Sequence, residues 1–247
     1  MRGLGRLVWT EFKLTLRDPM VVFWSIGFPA LWLLLMTVVI GVPIPGFRYE
    51  GMGFASFVFP ASLSLVILSS SFVGVPLTLT TYRETAVLRR LRVTPARTLT
   101  LALGLSLSQL AFVVAGILVV SVIGVVFLGV RIAGSPAAFA AVTLAGIVTF
   151  LALGSAVGSV AASVRSANVI IWTAFTPMLL LSELFLPISL LPAWLRPIAR
   201  ALPLSALNTL LRDIAYGAPL ADLWRLAILA GWIVAAGITT ARWFRWE

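Results

Sequence analysis

Residues 51–82 read GMGFASFVFPASLSLVILSSSFVGVPLTLTTY, 32 positions without one charged side chain. As a helix rising about 1.5 Å per residue this run reaches ~48 Å, well beyond a hydrocarbon core of ~30 Å. It reads as a membrane span, and its excess length predicts tilting, a bend near Pro60 or Pro76, or projection past the interface. Working outward, uncharged runs at 19–47, 98–130, 132–164, 166–182 and 226–241 mark five more spans. The whole chain agrees: 61% of its 247 residues are hydrophobic, 11% are charged, and mean hydropathy is +1.10. A soluble domain carries about 25% charged residues, so an aqueous exterior would be mostly apolar here. The expected fold is an all-α integral membrane protein with six transmembrane helices, a single domain over 1–247 with no room for a separate soluble unit. The first span is too long for a signal-peptide core and no A-x-A site follows it, so it reads as a retained anchor.

Several chemistries are excluded. There is no Cys, hence no disulfide, thiolate nucleophile or Cys-ligated metal, and no His, hence no Ser–His catalysis or HExxH zinc site. The only lysine, Lys13, lies in TEFKLT, so the phosphate-binding pattern GxxxxGK[ST] is absent from the chain. The net charge of +10 does not mark a nucleic-acid partner, because the arginines flank apolar runs instead of forming one basic domain. It reads as topology. With the N-terminus inside, twelve Lys/Arg fall on the cytoplasmic side and six (Arg48, Arg131, Arg196, Arg200, Arg212, Arg225) outside, which places both termini in the cytoplasm. The preference for Arg over Lys is that of a GC-rich bacterial genome.

Residues 1–18 form a separate feature. At about 100° per residue Arg2, Arg6, Lys13 and Arg17 share an arc of roughly 60°, with Leu4, Leu7, Val8, Phe12 and Leu14 around the rest. This is a basic amphipathic helix suited to lying among anionic membrane lipids, and Asp18-Pro19 ends it. A frayed tail obeying the positive-inside rule is the plainer alternative.

Residues 82–97, YRETAVLRRLRVTPAR, are the most informative loop. On a helical wheel Val87, Leu88 and Leu91 make a narrow apolar stripe containing Glu84, while Arg83, Arg89, Arg90 and Arg92 cover the remainder; Thr94-Pro95 ends the helix. A stripe of this kind lets a helix dock in a groove on another protein. A topogenic arginine loop would carry the same charges, and both readings stand on these residues alone.

The pattern R-E-x-x-x-L-x-x-L-x-x-T-P, here Arg83, Glu84, Leu88, Leu91, Thr94 and Pro95, resembles that of ABC-2 type permeases, the transmembrane halves of ATP-binding-cassette exporters. Daunorubicin-resistance and polysaccharide-export permeases belong to the same group. The resemblance implies that 82–97 is a coupling helix, with Val87 and Arg92 also on its surface, seated in a nucleotide-binding subunit. It further implies two such subunits per complex, ATP and magnesium held there and not on this chain, and a second permease copy or a related permease as partner. Export of a drug, lipid or glycan across the bacterial cytoplasmic membrane is what the family implies, and this chain would not itself be an enzyme.

A second matching block runs through Leu181-Ser182-Glu183-Leu184-Phe185-Leu186-Pro187, then Leu191-Pro192-Ala193-Trp194-Leu195, Pro203 and Arg212. It resembles the family's S-G-x-F-x-P…L-P-x-W-L…P…R segment, which implies short re-entrant helices over 183–217 between the fifth and sixth spans, on the external side. Independently, Pro187, Pro192, Pro197 and Pro203 forbid one continuous helix, and broken apolar backbone at membrane depth must be buried in protein or line a cavity. Glu183 stands where the family has glycine; Leu184 and Ala206 depart as well. An acid at a span's end either pairs with Arg196, Arg200 or Arg212, or meets a cationic substrate.

Weaker signals complete the reading. Gly154, Gly158 and Ala162 allow close helix approach, within the chain or to a partner. Trp24, Phe28 and Trp32 make an aromatic face that is either lipid-facing packing or the wall of a hydrophobic path. Ser69, Ser70, Ser71, Thr78, Thr80 and Thr81 give the second span hydroxyls for helix pairing or a wet route, and Phe175, Thr176 and Glu183 extend the candidate path. The alternative function is a secondary transporter driven by an ion gradient, but no internal repeat or mid-bilayer ionisable residue supports it. Asp18, Asp213 and Asp222 lie outside the clear spans, so no catalytic constellation assembles.

Overall fold

A computed structural model describes residues 2–40, 54–85, 98–184, 188, 191–219 and 222–243; over 2–8 and 98–106, and at 11 and 40, only the backbone is described. Helix α1 (Arg2–Arg17) is followed by Asp18, whose Oδ1 accepts from the Met20 and Val21 N–H groups at 3.0 and 3.2 Å and so caps the next helix, with Pro19 at its first turn. Among the described residues six helices are long and apolar enough to cross a membrane: α2 (Pro19–Val39), α3 (Phe54–Glu84), α4 (Leu107–Phe127), α5 (Pro136–Val160), α6 (Val164–Leu181) and α9 (Leu223–Trp243). The helix containing α4 begins earlier, at Thr98. Among the described residues between α6 and α9 lie the short helices α7 (Arg196–Ala201) and α8 (Pro203–Ala215), with Pro197 and Pro203 in their first turns, where a missing N–H costs nothing.

The 32-residue run becomes the centre of the molecule. In its most apolar stretch α3 is 89% buried, against 22% for α2 and α6 and 11% for α9, so α3 is the floor on which most of the other spans pack. It contacts α2, α4, α5, α6 and α8, while α9 lies along α5 and α1 rests on the helix of α4, where Phe12 meets Phe112 edge-on at 6.2 Å. The helix passes through both prolines. A π-helical turn at Leu68–Val73 lies just before Pro76, where the ring removes the N–H that would bond the Phe72 carbonyl. Several buried hydroxyls bond within the helix: Ser62 donates to Val58 O, Ser69 to Leu65 O and Thr80 to Pro76 O, at 3.0, 2.7 and 2.8 Å, while those of Ser64, Ser70 and Ser71 have no partner among the described residues.

Because lipid gives apolar side chains little reason to leave it, close packing holds such helices together. Gly154 and Gly158 of α5 serve this purpose inside the chain. A Cβ on Gly154 would collide with the Ser71 carbonyl, and one on Gly158 would come within 2.8 Å of Leu79 and 3.2 Å of the Pro76 Cα. Ala162, the third residue of that pattern, falls beyond the end of α5, in the turn to α6. Within segment 183–217, α8 is buried along most of its length against α3 and α5, and its Asn208 donates to Ser182 O at 3.0 Å.

The connections sort to two ends. The end of α3, the start of the helix of α4 at Thr98 and the α5–α6 turn lie at the end that carries α1 and the close of α9. At the opposite end the α4–α5 loop meets α8, with the Ala133 N–H on Ala215 O at 2.9 Å and Gly134 so close to Ile214 O that no side chain fits.

Candidate functional site

At the end carrying the termini, α3 finishes in Arg83-Glu84. Helix α5 stops at Val160, three residues turn the chain, and α6 starts at Val164 behind an N-cap in which Ser163 and Ser166 exchange hydrogen bonds. Arg83 donates an Nη–H to the Ala161 carbonyl at 2.8 Å, and the Val164 N–H donates to Glu84 Oε1 at 2.8 Å. The cation thus meets the carbonyl end of α5 and the carboxylate meets the amide end of α6, each the sign that the helix macrodipole favours. Adjacent side chains of opposite charge latch the end of α3 across the α5–α6 turn. The Nε and the other Nη of Arg83 are buried and have no acceptor among the described residues, which leaves the guanidinium able to take another. Val87, Leu88, Leu91, Arg92, Thr94 and Pro95 lie outside the described residues.

Beside the latch, a cleft of about 580 Å³ opens between α2 and α6, with α3 as its floor and α1 at its mouth. Near the mouth its walls carry Asp18, Thr78, Thr81, Tyr82, Gln109 and Asn168; deeper in they carry Phe28, Leu65, Val73 and Phe175. Phe175 lies eleven residues into α6, about 16 Å along the helix and near the middle of a ~30 Å core. Polar at the entrance and aromatic inside, the cleft suits an amphipathic molecule. Gln109 donates to Thr78 Oγ1 at 3.2 Å, and Gly74 lets the amide pass, since a Cβ there would sit 3.1 Å from its oxygen.

The cleft brings together Trp24, Phe28, Ser69 and Phe175 of the sequence-derived path. It does not include Trp32, which is half-buried against the core, or Thr176, which is exposed. Trp172, which packs edge-on against Phe175 at 5.2 Å, and Asn168 were not singled out from the sequence. Their spacing, Asn168, Trp172, Phe175, is one helix face, and that periodicity was the available signal. Gln109, the only amide side chain in the run 98–130, was another.

Glu183 lies at the other end. Its backbone φ is +60°, the left-handed region that favours glycine, at the residue just past the helix C-cap. That accounts for glycine at this place in the family pattern. Here the carboxylate holds the turn: Oε2 accepts from Arg212 at 2.6 Å and from Thr209 at 3.3 Å, and Oε1 accepts from the Ile188 N–H at 3.3 Å. Of the three arginines considered as partners, the pair forms with Arg212.

A search of curated proteins finds no match to the chain. A family model described as ABC-2 type transporter matches residues 2–216, from α1 through the end of α8. With six membrane-crossing helices and this match over most of its length, the chain belongs to the ABC-2 type transporter family and is a multi-pass membrane permease component.

Proposed function

We propose that the chain is the membrane subunit of an exporter in the bacterial cytoplasmic membrane, moving a hydrophobic or amphipathic drug, lipid or glycan with ATP hydrolysed on a separate nucleotide-binding subunit. Two such subunits would act on two permeases, this chain and a second copy or a relative, with both termini in the cytoplasm and substrate passing along the face between the permeases.

The observation that supports this reading best is the latch. Segment 82–97 leaves α3 at Arg83-Glu84, and these residues hold the end of α5 and the start of α6 at 2.8 Å each. Force applied to that segment by closing ATPase subunits would reach α6, which is one wall of the cleft, while the deeply buried α3 stays as its floor. Tilting α6 relative to α2 would close the polar mouth behind a substrate. Glu84 and Arg83 are positioning residues in this scheme; the apolar stripe of Val87, Leu88 and Leu91 would seat in the partner, with Arg92, Thr94 and Pro95 completing the segment.

Since the chain has no cysteine, one introduced at Leu88 gives an unambiguous cross-link. The full complex should show it joined to the nucleotide-binding subunit, with yield that changes on ATP binding. Transport that continues with this position bare in every nucleotide state would overturn the proposal.

A further inference from the structure

The cleft between α2 and α6 differs in charge from the chain around it. Lys and Arg outnumber Asp and Glu by 18 to 8 over the sequence, yet among the described residues that line the cleft the one ionised side chain is an acid, Asp18. Arg17 precedes it in the chain and Arg165 follows Val164, and neither lines the cleft. Asp18 caps α2 with one oxygen alone. Its Oδ1 takes the Met20 and Val21 N–H groups, and Oδ2 has no hydrogen bond or ion pair among the described residues.

Two hydroxyls in the lining favour the same kind of ligand. A hydroxyl has one hydrogen and two lone pairs. Ser69 spends its hydrogen on Leu65 O at 2.7 Å, and Thr78 spends its own on Gly74 O at 2.9 Å. What they can still give a ligand is a lone pair, and a lone pair takes an N–H. The Asn168 amide and the hydroxyls of Ser25 and Thr81 can serve either way.

Rings flank the cleft on both walls. Trp24 lies 5.3 Å from Phe28 on α2, and Trp172 lies 5.2 Å from Phe175 on α6, centroid to centroid. Aromatic faces attract cations and stack on planar apolar groups. Phe28 is ten residues beyond Asp18, about 15 Å along the helix. A charged head at Asp18 and a ring system between the two walls therefore fit within one drug-sized molecule.

We infer that the cleft selects lipophilic ammonium compounds, with Asp18 Oδ2 taking the charged head at the mouth, Ser69 and Thr78 accepting further N–H groups, and the two tryptophan–phenylalanine pairs holding an aromatic body. The inference narrows the cargo of the transport reading and rests on taking the cleft as its cargo site.

Binding is measured on the full chain in neutral detergent, without an ATPase, by fluorescence anisotropy of three probes that share one ring system: 9-anthracenylmethylammonium, 9-anthracenemethanol and 9-anthracenecarboxylate. A protein of net charge +10 acting only through its overall field would favour the carboxylate. Wild type should instead bind the ammonium about tenfold tighter than the alcohol, the discrimination of one charge-assisted hydrogen bond, and the carboxylate most weakly. Asp18→Asn keeps the helix cap, for which Asn serves as well as Asp. It should bring the ammonium to the alcohol's affinity and leave the alcohol unchanged. Asp222→Asn, which removes the same charge at the opposite end, should change neither. Trp172→Ala should weaken both probes several-fold, which places them in the cleft. Thermal unfolding unchanged from wild type confirms that the variants are folded. No saturable binding of the ammonium, an alcohol bound as tightly, a preference kept in folded Asp18→Asn, or binding untouched by Trp172→Ala would overturn the inference. Each of those results would leave ATP-driven transport of a different cargo standing, since that is measured separately in vesicles that also hold the nucleotide-binding subunit.

Discussion

Replacing Glu183 separates two opposed energies at one residue. Its φ of +60° costs a side chain about 1 kcal/mol that glycine avoids. Against this stand the 2.6 Å bond to Arg212 and two longer bonds at 3.3 Å. Breaking one partner of a fully buried pair costs about 3–5 kcal/mol. Here the two side chains keep 16% and 12% of their exposure, and relaxation toward water brings the loss to about 2 kcal/mol. Glu183→Gly should therefore destabilise the chain by about 1 kcal/mol net, a fall of roughly 2–4 °C in Tm for a protein of this size. Glu183→Gln keeps the strained backbone and loses the charge, so it should fall lower, by about 2 kcal/mol. Adding Arg212→Met to Glu183→Gly removes the stranded cation and should recover most of that loss of about 1 kcal/mol. Thermal unfolding of the detergent-purified chain by intrinsic fluorescence measures all four proteins. A glutamine variant as stable as the glycine variant would refute the strain argument, and a double variant no more stable than Glu183→Gly would refute the pairing argument.

Other perturbations follow from particular contacts. Glu84→Ala removes a cap worth about 1 kcal/mol from α6, so Tm should move little while ATP-driven transport falls at least tenfold with ATP hydrolysis retained, measured in vesicles. Gly154→Ala pushes a Cβ into the Ser71 carbonyl and should cost about 1–3 kcal/mol in thermal unfolding; Gly231→Ala and Gly237→Ala, with nothing within 4 Å, should change stability by under about 0.5 kcal/mol. Trp172→Ala and Phe175→Ala, inside the cleft, should raise the substrate concentration for half-maximal stimulation of ATP hydrolysis, whereas Thr176→Ala, outside its lining, should not.

Much of this architecture was legible because membrane helices announce themselves by length. Each uncharged run became a helix, and the prolines of 183–217 broke that stretch into the short helices found there. What the run lengths could not convey was depth. Residues 51–82 and the apolar part of 98–130 look alike in composition, yet one is the buried floor and the other 28% buried at the edge, because in lipid apolar side chains face protein and solvent equally well. Trp32 and Trp24 are eight residues apart on the same helix, but they part company at the cleft, since only contact with α3 and α6 decides which ring lines it. The latch was half readable: Arg83 and Glu84 stood out as a motif, whereas their partners are backbone groups of Ala161 and Val164, which no side-chain pattern can signal. Glycine in the family pattern and glutamate here were visible as a departure, but the left-handed backbone that connects them required coordinates.

The most direct measurement of the central claim is transport by vesicles holding the chain with its nucleotide-binding subunit, compared with vesicles holding the chain alone under an imposed proton or sodium gradient. Uptake of an amphipathic probe should require ATP and both proteins, and should be lost with Glu84→Lys while ATP hydrolysis and membrane insertion persist. Gradient-driven movement by the chain alone, or full transport by the Glu84→Lys complex, would contradict the account.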